Sequence, residues 1–145
     1  MRSVELFTGA GGLALGLGRA GIKHAALVER DADCCRTIRA NQKSGNPEVR
    51  DWPLHEVDVR HFDFGTINGN IEIVAGGPCQ PFSLGGKHQG PADSRDMFPE
   101  AARAVCKLRP RAFIFENVKG LLRETFADCF QYTIHLHRYP EFCAN

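Results

Sequence analysis

Cys79 stands in the run Gly76-Gly77-Pro78-Cys79-Gln80-Pro81-Phe82-Ser83, directly after the apolar segment Ile71-Glu72-Ile73-Val74-Ala75. That places a thiol just past a buried strand, in a loop of restricted or unusual backbone geometry. Pro78 fixes one φ angle and lacks an N–H, and the two glycines let the chain turn sharply. In an open α/β sheet, ligands bind outside the carboxyl ends of the strands. A nucleophile suits that position, and so does an inert buried thiol, the commoner use of a free cysteine. Glu116 follows a second apolar run, Phe113-Ile114-Phe115, and precedes Asn117-Val118. An acid beside an apolar run is suited to deliver a proton; alone it reads equally well as a helix N-terminal acid. A thiolate and an acid on neighbouring strand ends make a centre for nucleophilic catalysis.

A third group of residues points to a ligand. Phe7-Thr8-Gly9-Ala10-Gly11-Gly12 joins a strand to a helix, and glycines there let a ligand approach the backbone closely. The pattern is not G-x-G-x-x-G, because Leu13 and Ala14 follow Gly12, which weighs against a nicotinamide-dinucleotide enzyme. Glu29 closes the second apolar segment, where a carboxylate can accept both hydroxyls of a ribose. Asp58 comes next along the same edge, within reach of an adenine amino group. Glycine turn, acid and acid, each at a strand end, describe an adenosyl pocket. Flanked by Arg30 and Asp31, Glu29 reads equally as a capping or surface carboxylate.

The elements that must position these groups alternate along the chain. Strands are expected at residues 3–7, 24–28, 56–59, 71–75, 111–115 and 132–136, with Asp58 inside the third. Helices are expected at residues 13–20, stopped by Gly21, and 31–42, capped by Asp31. A third should occupy residues 95–108, its first turn nearer Phe98 because of Pro99, and a fourth residues 121–130. Strands separated by helices imply a doubly wound, mostly parallel α/β sheet.

The bulk properties set limits without choosing a partner. The 145 residues fit one domain, and 18 Lys plus Arg against 17 Asp plus Glu give a formal charge of +1. Any surface for nucleic acid must therefore be a local patch or come from a partner. No apolar run approaches a membrane span and no signal-peptide layout opens the chain, so a cytoplasmic location and no membrane partner are expected. None of the six cysteines forms a C-x-x-C pair, so no zinc site is expected, and all but Cys79 read as reduced packing thiols. His135 and His137 share a face of the expected last strand, which reads as a solvated face before a metal pair.

Residues 7–12, Glu29, Asp58, Pro78-Cys79-Gln80 and Glu116-Asn117-Val118 together resemble the first six ordered motifs of the DNA cytosine-5 methyltransferases, in order, spacing and strand context. The resemblance spans essentially the whole chain. It implies the S-adenosylmethionine-dependent methyltransferase version of the doubly wound, Rossmann-like sheet. It implies a cofactor, S-adenosyl-L-methionine, bound by Phe7, Gly9, Gly11, Gly12, Glu29 and Asp58, with Pro78 and Met97 lining the pocket. The implied reaction is methylation of C5 of cytosine, with Cys79 attacking C6 and Glu116 at N3. The substrate is double-stranded DNA with the target base flipped out, contacted by Gln80, Ser83, Lys87 and Asn117. Lys87 reads equally as a solvated loop charge. The resemblance admits a cognate restriction endonuclease system as a further partner, and a bacterial source.

The family's arginine-rich motif, target-recognition region and closing helix have no counterpart in these residues. Residues 1–145 are then the N-terminal part of a cofactor-binding and catalytic domain, completed by a C-terminal polypeptide, and strand five should present an open apolar edge. A truncated, inactive S-adenosylmethionine-binding module is the alternative within the family. Methylation of tRNA cytosine, which relatives perform with the same Pro-Cys-Gln core, is the alternative substrate.

Overall fold

The protein is described by a computed structural model covering residues 1–77 and 97–122, with Glu124, Ala127, Gln131, Ile134 and His135 beyond. Its strands are β1 (Arg2–Leu6), β2 (Lys23–Glu29), β3 (Leu54–Glu56), β4 (Ile73–Ala75) and β5 (Ala112–Ile114), and its α-helices are α1 (Gly12–Arg19), α2 (Ala32–Lys43) and α3 (Phe98–Leu108). The described strands pair in the order β3-β2-β1-β4-β5, all parallel. From β1 the chain steps outward through β2 to β3, then returns to the other side of β1 for β4. The edge between β1 and β4 is thus a topological switch point, where doubly wound sheets bind ligands.

The period-two alternation of β1 decides what each face carries. Val4 and Leu6 join Ala26, Val28 and Val74 in one buried cluster with Phe62, Phe64 and the α3 residues Ala101, Ala104 and Val105. On the other face Ile73 and Ala75 meet Leu17 of α1 and Ile22. Helix α3 begins at Phe98 with Pro99 in its first turn, as the sequence suggests, and stops at Arg109 before Pro110. Asp31 caps α2 by accepting the Asp33 and Cys34 N–H groups, both at 2.9 Å.

Three expectations are corrected. The third strand is residues 54–56, so Asp58 lies outside it, as the cap of a 3-10 turn over Val59–His61. Its carboxylate bonds the Arg60 N–H, which favours a turn start over continued pairing. The helix expected at 121–130 is present at Ala127, and only its start is corrected, since Lys119–Leu122 form a 3-10 turn. Ile134 and His135, expected in a sixth strand, are helical, so the face assigned to His135 and His137 does not exist at His135; His137 lies outside the described residues.

Among the described residues, one carboxyl side chain is fully buried. Glu5 is 1% exposed and faces away from Val4 and Leu6, and its Oε2 has no hydrogen-bond partner. Burial pushes its pKa up to about 8, while an N–H bond from Ala14 pulls the other way. The folded chain therefore keeps this proton where the unfolded chain, with an ordinary carboxyl, has lost it. Stability from this group is fully present below the unfolded pKa and falls as pH rises towards 8, by about 1.4 kcal/mol per unit at most. Glu5→Gln is expected to remove that slope. Denaturant titrations at pH 5, 6.5 and 8 check it, and equal slopes in the two chains would contradict the assignment.

Candidate functional site

At the carboxyl end of β1 the chain leaves the strand through Phe7 (φ 53) and Gly9 (φ 58), reaching α1 through Gly11 (φ 94). The turn is tied twice to the end of β2. The Thr8 N–H reaches Val28 O of β2 at 3.3 Å, and the Gly9 N–H donates to Glu29 Oε2 at 2.7 Å. The other oxygen of Glu29 accepts the Arg30 and Asp31 N–H groups at 2.8 and 2.7 Å. A carboxylate offers about four acceptor positions, so Glu29 keeps roughly one, on Oε2. Among the described residues a Cβ placed on Gly9 or Gly12 would meet nothing within 4 Å, so none of them closes the turn above either. A Cβ on Gly11 would come 2.6 Å from Cζ3 of Trp52, so the turn rests on that indole.

Asp58 stands beyond β3 on the same edge. Its Oδ1 accepts the Arg60 N–H and Nε at 3.0 and 2.9 Å, and its Oδ2 accepts Arg60 Nη2 at 2.6 Å and Arg30 Nη1 at 3.2 Å. The Arg60 guanidinium holds the carboxyl far below the usual range, with Arg30 contributing less. The 3-10 turn that carries Asp58 is anchored from α3. Arg103 donates to Val59 O at 2.6 Å and Phe62 O at 3.3 Å, and lies 4.7 Å from the centre of the Phe64 ring.

The far side of the switch point is built by close backbone approach. Gly76 (φ 90) donates its N–H to Ile114 O at 2.9 Å, and a Cβ on it would fall 1.9 Å from Leu6 O. A Cβ on Gly77 would fall 2.7 Å from Glu116 O. The end of β4 is thus wedged between the ends of β1 and β5, with Gly77 against the backbone of Glu116. Glu116 is exposed, and Asn117 Oδ1 accepts the Val118 N–H at 2.9 Å. Met97, partly buried, packs on the main core cluster at the start of α3.

Known proteins share this sequence pattern and this fold. The sequence profile of the C-5 cytosine-specific DNA methylases matches residues 1–137. The chain belongs to that family. The Type II methyltransferase M.NgoMIV of Neisseria gonorrhoeae is 46% identical over 127 residues, which are 87% of this chain and 38% of that protein. An Escherichia coli prophage protein described as a DNA modification methyltransferase superposes with a TM-score of 0.70 at 29% identity, over 94% of this chain and 37% of its own. The glycopeptide N-methyltransferase MtfA, solved with S-adenosylmethionine, shares the fold alone, at a TM-score of 0.54 and 18% identity over 79% of this chain and 46% of its own. The chain thus spans less than half the length of each of these proteins.

Within this methylase fold, the structure gathers Phe7, Gly9, Gly11, Gly12 and Glu29 at one strand-end turn, and holds Asp58 next to it through Arg30. Glu116 and Asn117 lie across the switch point beyond β5. Pro78, Cys79, Gln80, Ser83 and Lys87 lie outside the described residues. The thiols of Cys34 and Cys35 have raised pKa values, through burial first and neighbouring carboxylates second. Sequence reasoning missed Trp52, Arg30, Arg60 and Arg103. A lone tryptophan between Asp51 and Pro53 was a signal for the first; nothing local marks the three arginines.

Proposed function

We propose that this methylase chain is the N-terminal part of a cofactor-binding and catalytic domain that transfers a methyl group from S-adenosylmethionine to C5 of cytosine in DNA. A C-terminal polypeptide supplies target recognition. The observation that carries the reading is the Gly9 N–H on Glu29, with Asp58 beside it and Gly77 against Glu116, all on the carboxyl edge of one parallel sheet.

The donor set fits the adenosyl half of the cofactor. No described residue closes the turn at Gly9 or Gly12, and Glu29 has an acceptor position left for one ribose hydroxyl, fewer than the two hydroxyls read from sequence. Phe7 and Met97 supply apolar walls nearby. Bound there, S-adenosylmethionine supplies an electrophilic methyl group on a sulfonium. Support for this cofactor also comes from the shared fold of MtfA, solved with it.

The chain's own residues do the rest. The Cys79 thiolate bonds to C6 of the cytosine, and the C5–C6 π pair moves to C5. Glu116 holds a proton at N3, where charge develops. C5, made electron-rich by the bond to Cys79, would be the acceptor of the methyl group that bound S-adenosylmethionine would supply, leaving the bond pair on its sulfur. A base then removes the C5 proton, the C5–C6 double bond re-forms and the thiolate leaves. Attack on C6 requires the base to be out of the stack, so Gln80, Ser83, Lys87 and Asn117 are assigned to the flipped nucleotide and its backbone. No described helix is long and apolar enough to cross a membrane, and the relatives named as Type II methyltransferases are bacterial. That supports a cytoplasmic protein paired with a cognate restriction endonuclease.

The test is trapping on 5-fluorocytosine DNA with S-adenosylmethionine, where fluorine blocks the final proton removal. The chain is expected to form a covalent adduct only when a complementing C-terminal chain is present. Retained cofactor binding with no adduct on any DNA, with any partner, would instead identify an inactive module and direct the search to tRNA.

A further inference from the structure

Asp58 accepts four hydrogen bonds, and a carboxylate has about four acceptor positions. An adenine amino group can reach it only by displacing a donor. Three of the four belong to Arg60. Its backbone N–H caps the 3-10 turn, and its Nε and Nη2 form a two-pronged fork at 2.9 and 2.6 Å, the strong arrangement for this pair. The fourth is a single bond from Arg30 at 3.2 Å, the longest of the set, from a side chain 58% exposed. Arg30 is also anchored where it matters, since its N–H sits on Glu29. Arg30 therefore links the ribose acid, through its backbone N–H, to the adenine acid, through its guanidinium.

The geometry points to Arg30 as a latch on the nucleoside subsite: it occupies the acceptor position on Asp58 that adenine requires, and cofactor entry releases it. Arg60 meanwhile keeps Asp58 oriented. After transfer, Arg30 competes for the same oxygen and favours release of the nucleoside product. The inference rests on the assignment of Glu29 and Asp58 to the adenosyl group.

The experiment measures binding of S-adenosylhomocysteine, which carries no net charge, to the full chain by calorimetry and by fluorescence. The single tryptophan, Trp52, lies against Gly11 of the turn and reports on it. Arg30→Ala and Arg30→Met, the second retaining an apolar stem, are expected to bind about two- to fivefold tighter, the range for an exposed ion pair. Raising the salt from about 0.05 to 0.5 M should tighten binding by the unsubstituted chain towards that of the variants, because screening opens the latch. The inosine counterpart, which lacks the amino group, should show no gain from either substitution. Equal or weaker binding by both variants, with Glu29→Ala abolishing binding, would overturn the latch and leave the subsite standing. No binding by the unsubstituted chain, or undiminished binding by Glu29→Ala, would overturn the subsite and the latch with it.

Discussion

Cys79→Ala is expected to abolish covalent trapping on 5-fluorocytosine DNA and to lower single-turnover methyl transfer by about 10^4-fold or more, the scale on which loss of a nucleophile is felt. S-adenosylmethionine affinity should stay within about twofold, because the glycine turn, Glu29 and Asp58 bind without the thiol. Trapping and methyl transfer are measured with the proposed complementing chain present, and affinity on this chain itself. The physical argument has two parts. Gly77, two residues before Cys79 in the chain, is packed against the Glu116 backbone. Cys34 and Cys35, by contrast, are held as protonated thiols by burial and nearby carboxylates. An adduct that survives Cys79→Ala would sink the assignment and make another cysteine the nucleophile.

Gly76→Ala is the substitution expected to cost the most stability, about 3–5 kcal/mol. Two terms add. The backbone sits at φ 90, a region that L side chains rarely adopt, and the new methyl group would lie 1.9 Å from Leu6 O. That oxygen belongs to β1, the central strand, whose residues from Ser3 to Leu6 are buried, so it cannot move aside without disturbing the sheet. A domain of this size has about 5–15 kcal/mol in total, so the variant should melt at least ~10 °C lower or fail to fold at 37 °C. Gly16→Ala is the control. Gly16 lies inside α1 at ordinary φ with open space around it, so alanine there should be neutral or stabilising by up to ~1 kcal/mol. Thermal unfolding of the two variants side by side decides the matter; a Gly76→Ala chain as stable as the Gly16→Ala chain would mean that β4 does not end against β1 in this way.

The two cases differ in how far each was readable beforehand. Gly76-Gly77 was legible as a turn because two successive glycines after an apolar run have few other uses. That the turn is a backbone wedge between β1 and β5 was not legible, since Leu6 and Glu116 are distant in sequence and meet it only through the strand order. Glu29 was legible as a strand-end acid, and the link to the glycine turn was inferred from spacing. The hydrogen bonds that leave it one acceptor position depend on how the backbone of residues 29–31 turns. Asp58 was placed on the right edge but in the wrong element, because a three-residue strand has too little periodicity to mark its own end.

What the sequence determined by itself is the local and repetitive part of the protein. Alternating apolar segments and capped helices dictate a parallel sheet, and residue types at the strand ends dictate a glycine turn with two acids beside it. Ordered along the chain, these also carry the family. The tertiary structure alone decided which groups those acids already hold. Arg30 and Arg60 saturate Asp58, Trp52 supports Gly11, Arg103 ties α3 to the turn bearing Asp58, and Glu5 is sealed in the core. Apart from the local Arg60–Asp58 pair, each of these is set by strand order and crossover direction, and short-range patterning carries no information about contacts across tens of residues.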